Sequence, residues 1–198
     1  MKKSPNIVVD SIDMDNERMI KAVGDLIYLT DPFIYPDIFD NDIINAEKAA
    51  YYLLSEKTVF YHKNIKVALA NNEVAGFMIL LDYYPDDNSK LIKQCLVKAL
   101  GKLPKKIDDV LKYYFDDFKQ GWVGTHIMSL CVLPQYRRLR VATRLLQSLD
   151  NNKDYSLACI KDNYPARVLY EKCGFEFEKE YLGYTAVKCV ELIKRGEA

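Results

Sequence analysis

Glycine and proline together supply only 15 of the 198 residues, too few and too scattered for a collagen-like or low-complexity chain. Net charge is missing as well: 28 basic and 28 acidic side chains cancel. That balance excludes a general polyanion binder, because nonspecific nucleic-acid affinity needs a surplus of Lys and Arg. Any anion site must therefore be local. No apolar run approaches the roughly 20 residues of a membrane span, and the stretch before Asp10 is too poor in apolar residues for a secretory h-region. Histidine occurs twice, as His62 and His126. The cysteines (Cys95, Cys131, Cys159, Cys173, Cys189) are odd in number and widely spaced, with no zinc-type pairing, and there is no P-loop or Gly-x-Ser-x-Gly elbow. These absences predict reduced thiols, a cytoplasmic location, no metal, and no nucleic-acid or membrane partner.

What is present is a hydrophobic content of 49%, enough for a chain of this size to bury about 70% of its unfolded surface. One domain over 1–198 is expected. Asn6 to Asp10 reads as a first strand, and Asp13 and Asp15 open a helix carrying Met19, Ala22, Val23, Leu26 and Ile27 on one face. A loop with Pro32 and Pro36 follows, then a second helix from Asp42 to Leu54. Ile65 to Leu69 and Val74 to Leu81 alternate at period two around Asn71-Asn72, the signature of a β-hairpin.

From 85 to 121 the pattern changes to a two-helix insert: Ile92, Cys95, Leu96 and Ala99, then Ile107, Val110, Leu111, Tyr114 and Phe118, fall at helical spacing. Lys90 to Lys106 holds six lysines and no acid, against ten acids and five bases in residues 1–50; the two blocks are either solvated faces or flanks of a substrate. The remainder alternates: strand His126–Leu133, helix Tyr136–Leu149, strand Tyr155–Ile160, helix Pro165–Lys172 stopped by Gly174, and strands from Phe175 and over Tyr184–Ile193. Such alternation implies one parallel pairing across a crossover.

Two segments carry chemistry. After the strand ending at Val132, Arg137, Arg138 and Arg140 are predicted in the first turn of a helix, where the backbone already presents positive partial charge and free N–H donors. A bound phosphate or pyrophosphate would resolve that conflict; pairing with surface carboxylates would resolve it equally. Further on, Asn163-Tyr164-Pro165-Ala166-Arg167-Val168-Leu169-Tyr170-Glu171-Lys172-Cys173-Gly174-Phe175 is a capped helix leading into a strand.

In this order and spacing the two segments resemble the GNAT superfamily of acyl-CoA-dependent N-acyltransferases. The first is similar to its Q/R-x-x-G-x-G/A loop, with Arg137 first and Ala142 last; the second matches Asn-x-x-Ala-x-x-Leu-Tyr-x-x-x-Gly-Phe at every named position. The central glycine of the loop is Arg140 here, which requires a helical backbone and an outward side chain at that residue. The resemblance implies an α/β fold: a mixed, largely antiparallel six- to seven-stranded sheet with helices on both faces and the helical insert between the third and fourth strands.

It also implies acetyl-CoA as cosubstrate and a primary amine of a small molecule or peptide as acceptor. Backbone groups of Leu130 and Val132 would meet the thioester and pantetheine. Arg137, Arg138, Arg140, Val141, Ala142 and Thr143 would hold the pyrophosphate, Asn163 the pantetheine arm, and Tyr170 would protonate the leaving thiolate. His126 stands where relatives commonly carry a glutamate base; an imidazole titrating near 6.5 can take that role, directly or through a water, or the ring is a strand-end histidine that only hydrogen-bonds. Asp31, Asp37, Asp40 and Asp42, with Phe33, Tyr35 and Phe39, would form either an acidic aromatic wall for a cationic amine or a plain packed surface loop. Two other readings stand beside the enzyme: a non-catalytic acyl-CoA-binding or sensing module, and an interaction domain using the arginines and the lysine-rich insert. A homodimer through the closing strands or the insert is left open.

Overall fold

The computed structural model describes residues 5–82, 87–117 and 122–197. Pro85, Phe118 and Gly121, which enter the insert's expected bounds and helical pattern, lie outside them, as do Lys2 and Lys3. Strand β1 (Ile7–Ser11) pairs antiparallel with β2 (Ile65–Ala70), which turns into β3 (Glu73–Leu81). Asn71 and Asn72 make that turn with φ of 52° and 68°, the left-handed pair that a two-residue hairpin needs and that Asn tolerates. Next come β4 (Thr125–Val132), β5 (Tyr155–Ile160), β6 (Glu176–Leu182) and β7 (Lys188–Lys194). The sheet has seven strands in the order β1-β2-β3-β4-β5-β7-β6, and only β4 with β5 is parallel.

Helices α1 (Glu17–Thr30), α2 (Tyr35–Ile38) and α3 (Ile43–Ser55) lie between β1 and β2. The insert between β3 and β4 contains α4 (Ser89–Leu100) and α5 (Ile107–Lys112), the latter running into a π-helical turn, Tyr113–Asp117. Helix α6 (Val141–Gln147) follows β4, and α7 (Tyr164–Lys172) follows β5. The starts obey capping chemistry: Asn16, Asp42 and Asn163 accept from the amides of Met19, Ile44 and Ala166. Helix α1 therefore opens at Asn16, while Asp13 closes a local turn onto the Asp15 amide.

Successive residues of the central strands feed opposite faces of the sheet. Val67, Phe77 and Ile79 join a core with α1, α3, α4 and α5, whereas Ala68 and Met78 join a second core with Val141, Leu145 and Leu146 of α6. Helices α1 and α3 pack closely because Gly24 faces Ala46, where a Cβ would sit 2.9 Å from the carbonyl oxygen.

Three expectations change. The helix expected over Tyr136–Leu149 is shorter: Pro134–Tyr136 is a 3-10 turn, and α6 begins only at Val141. Tyr184–Ala186 is a second 3-10 turn, with Thr185 and Ala186 at positive φ, so the last strand starts at Lys188. The opposed charge blocks meet each other: Lys106 pairs with Asp37 at 3.0 Å and Lys102 with Asp40 at 3.4 Å, and Asp40 also accepts from the Lys105 amide. The insert is thereby latched to the α2 region.

Candidate active site

Strands β4 and β5 pair only through Thr125↔Tyr155, His126↔Ser156 and Ile127↔Leu157. Beyond that point they part, β4 following β3 as far as Gly76↔Val132 and β5 following β7 as far as Ile160↔Cys189. An irregularity marks the parting, because Ile79 and Leu80 of β3 face Ser129 and Ile127, leaving Met128 as an extra residue; such bulges re-aim strands beside functional sites. The Leu133 amide donates to the Ala75 carbonyl on β3. By period-two alternation, Leu130 and Val132 turn their N–H and C=O groups the other way, into the gap. A cavity of about 200 Å³ fills the split, walled by Leu130, Asn163 and Tyr170 on one side and by Tyr35, Tyr114 and His126 on another.

Four of the eleven sequence-predicted catalytic and cofactor residues line it: His126, Leu130, Asn163 and Tyr170. Tyr170 lies buried against Phe175, with ring centroids 5.9 Å apart, and burial, with Cys159, Cys131 and Cys173 nearby, raises its phenol well above the ordinary value. It therefore keeps its proton at neutral pH. Asn163 has its side-chain oxygen committed to capping α7. His126 is 3% exposed, its Nδ1 lies 3.0 Å from Ser156 Oγ, and its ring stacks on Trp122 at 4.1 Å. Burial pushes its imidazole down to about 3. The expectation of a base titrating near neutrality is corrected accordingly: in this enclosure the ring stays neutral and is a weak proton acceptor.

The arginine turn also differs from expectation. Arg137, Arg138 and Arg140 precede α6 instead of occupying its first turn, and Arg138 and Arg140 take φ of 64° and 63°. Arg140 thus adopts the left-handed conformation a glycine would take there, with an exposed side chain, where a helical backbone was expected. Among the described residues none of the three joins a salt bridge with a carboxylate. The Arg137 Nε donates to the Val132 carbonyl at 3.3 Å. Val141 is buried in the core, while Ala142 and Thr143 are half-buried at the start of α6.

The acidic wall does not form as expected. Asp37 is buried, holding Lys106 and accepting from Tyr184 Oη at 3.1 Å; Asp40 holds Lys102, and Asp42 caps α3. Asp31 does line the cavity, but its Oδ1 accepts from the amides of Phe33 and Ile34. Phe39 is fully buried. Of the expected aromatic residues Phe33 and Tyr35 line the chamber, joined by tyrosines that sequence reasoning passed over as site residues: Tyr113, Tyr114, Tyr181 and Tyr184. Tyr35 Oη lies 2.9 Å from Ser129 Oγ, and Tyr114 Oη donates to it at 3.4 Å. Burial pushes the phenols of Tyr35 and Tyr184 up to about 12, the latter with help from Asp37, so both are neutral donors. The available signal was the count of 15 tyrosines in one chain.

The sheet thus opens beyond its parallel β4–β5 contact, and an arginine turn follows the β4 wall of the gap. Residues 107–177 match the family model for an acetyltransferase (GNAT) domain. An N-alpha-acetyltransferase of Saccharolobus solfataricus is 29% identical over 153 residues, covering 74% of this chain and 76% of that protein. The N-acetyltransferase from Staphylococcus aureus Mu50 superposes with a TM-score of 0.67 at 19% identity, covering 94% of this chain and 99% of that one. Arabidopsis thaliana Naa50, in complex with the bisubstrate analogue CoA-Ac-MVNAL, has a TM-score of 0.53 at 16% identity, covering 95% and 97%. In these matches and in its fold the chain resembles the GNAT superfamily, and it is an acyltransferase. Among the described residues no helix is long and apolar enough to cross a membrane.

Proposed function

We propose that the protein transfers the acetyl group of acetyl-CoA to the free α-amine at the N-terminus of a peptide. The observation that carries the choice of acceptor is the state of His126, whose imidazole is held at about 3. An α-amine titrates near 8 and is already substantially unprotonated at neutral pH, whereas a lysine ε-amine near 10.4 needs a competent base. The name of the archaeal relative and the peptide portion of the analogue bound to the plant protein support the same class.

In this reading the gap-facing groups of Leu130 and Val132 receive the thioester and pantetheine. The exposed, unpaired arginine turn suits the pyrophosphate: backbone amides and side chains of Arg137 to Thr143 hold it, and Arg137 leaves the Val132 carbonyl to do so. Asn163 offers its side-chain N–H₂ to the pantetheine arm, since its oxygen is engaged. The amine lone pair attacks the carbonyl carbon, and the Leu130 amide donates to the oxyanion. As the carbon–sulfur bond breaks, the thiolate takes the Tyr170 proton, and the phenolate is reprotonated by the proton released from nitrogen. His126, as a neutral ring, packs against Trp122, hydrogen-bonds Ser156 and fixes the chamber wall without accepting the amine proton.

Two measurements test this. The kcat/KM for a free-N-terminus peptide should rise with the acceptor's own ionisation near 8, with no inflection at 6 to 7. An inflection there that vanishes in His126→Gln would restore the histidine as base. The Tyr170→Phe variant should lose about 100-fold or more in kcat. Equal rates on the α-amine and on the lysine of an N-blocked peptide would refute the acceptor class.

A further inference from the structure

Phenols, thiols and apolar side chains make up most of the chamber between β4 and β5, and one residue stands apart from them. Among the described residues lining it, Asp31 is the only carboxylate, and no glutamate, lysine or arginine joins it. The other acids of the same loop are taken up elsewhere, Asp37 by Lys106, Asp40 by Lys102 and Asp42 by the start of α3.

Asp31 is half-buried, and local bonds fix its direction. Its Oδ1 accepts from the Phe33 amide at 2.7 Å and from the Ile34 amide at 3.0 Å. Among the described residues nothing donates to its Oδ2, and the carboxylate joins no salt bridge. Its charge reaches the other walls. Burial is the first cause that raises the phenols of Tyr35 and Tyr114 and the thiol of Cys189, and the Asp31 charge adds to the rise in each. Those three groups come from α2, the insert and β7.

The backbone adds to the same sign. Asp31 is the C-cap of α1, whose last turn holds no basic residue. A helix C-terminus already carries about half a negative charge, so an acid there meets an unfavourable field. Thr30, the last residue of α1, lines the chamber as well. Helix end and carboxylate therefore put two negative contributions on one wall, with no cation in the described lining to offset them.

A peptide acceptor must bring its first side chain into this field. That side chain leaves the carbon that bears the reacting α-amine, so it stays beside the amine wherever the amine meets the thioester. An acidic side chain would lose water next to a like charge and find no cation to receive it, whereas its neutral isostere would meet neither cost.

We propose that Asp31 is a specificity-determining residue that excludes acceptors with an acidic first residue. The inference rests on the α-amine acceptor proposed above and narrows it to peptides whose first side chain is neutral or basic.

Steady-state kinetics at saturating acetyl-CoA test it with two peptides that differ only in carrying Asn or Asp at position one. The wild-type kcat/KM should be at least about thirtyfold lower for the Asp peptide. Asp31→Asn removes the charge and keeps an oxygen for the Phe33 and Ile34 amides, so it should shrink the Asn-to-Asp ratio at least about fivefold. A role confined to holding the loop would change both rates alike and leave the ratio where it was, which overturns the assignment. Equal wild-type rates on the two peptides overturn it without any variant. Turnover of neither peptide overturns the acceptor class and this inference with it, so acetylation of the Asn peptide tells the two failures apart.

Discussion

Arg140 combines two features in one residue: a left-handed backbone and an exposed cation at the start of α6. A residue with a Cβ in that conformation costs roughly 1 kcal/mol relative to glycine. Arg140→Ala and Arg140→Gly both remove the charge, so both should weaken acetyl-CoA binding to a similar degree. Only the glycine variant relieves the backbone, and its unfolding free energy should exceed that of the alanine variant by about 1 kcal/mol. Asp25 offers a second test at this scale. Burial, and then the neighbouring Glu47, push its carboxyl up to about 6. The folded state therefore binds a proton that the unfolded chain has released. The resulting stability is present below about 4 and lost as pH rises through 6. Asp25→Asn should raise the unfolding midpoint at pH 7.5, by about 1 kcal/mol for this partly exposed group, with a gain that fades below pH 5. The motif position of Arg140 was visible in the sequence, but its conformation was not, because local propensity assigns an arginine-rich stretch to a helix. His126 was likewise visible as a candidate. Its depressed titration was not, since the enclosing Trp122 and Ser156 come from a loop and a different strand.

Among the elements, the contact between the insert and α2 controls the chamber. Asp37 joins Lys106 from the insert to Tyr184 from the turn before β7, and Tyr184 lines the cavity. Asp37→Ala should cost about 2 kcal/mol in denaturant unfolding, because a partnered, buried carboxylate is lost and the phenol is left without its acceptor. It should also raise KM for the peptide more than KM for acetyl-CoA; equal changes would separate the latch from the acceptor site. Elements set by short-range chemistry were legible beforehand. The Asn71-Asn72 hairpin follows from two residues that tolerate positive φ, and α7 from an Asn cap, an early Pro and a closing Gly174 at φ 87°. The short α6 and the late start of β7 were not legible, because both depend on positive-φ turns at residues, Arg140 and Thr185, that carry no such signal. The meeting of the lysine block with Asp37 and Asp40 joins positions more than sixty residues apart, beyond any window read along the chain.

Taken whole, the sheet is two antiparallel halves, β1 to β4 and β5 to β7, joined by three residue pairs. The β2–β3 hairpin and one parallel pairing followed from turn residues and alternation, but the placing of β7 between β5 and β6 and the shortness of the junction had no counterpart in the sequence. Ligand bound across the gap should tie the halves together, adding about 2.7 kcal/mol at a hundredfold excess over Kd. Hydrogen exchange should report this locally. The amides of Leu130 and Val132 should exchange rapidly in the free protein and slow on acetyl-CoA binding, while the Cys131 amide, turned toward β3, stays protected throughout. The same open edge has a meaning for the life of the protein in solution. A strand with unpaired amides is a template for another chain to add to, and natural sheets blunt such edges with irregularities and basic side chains. Here the extra residue at Met128 interrupts the edge and Arg137 covers the Val132 carbonyl, so the features that shape the cleft also make it a poor template for a second chain's strand.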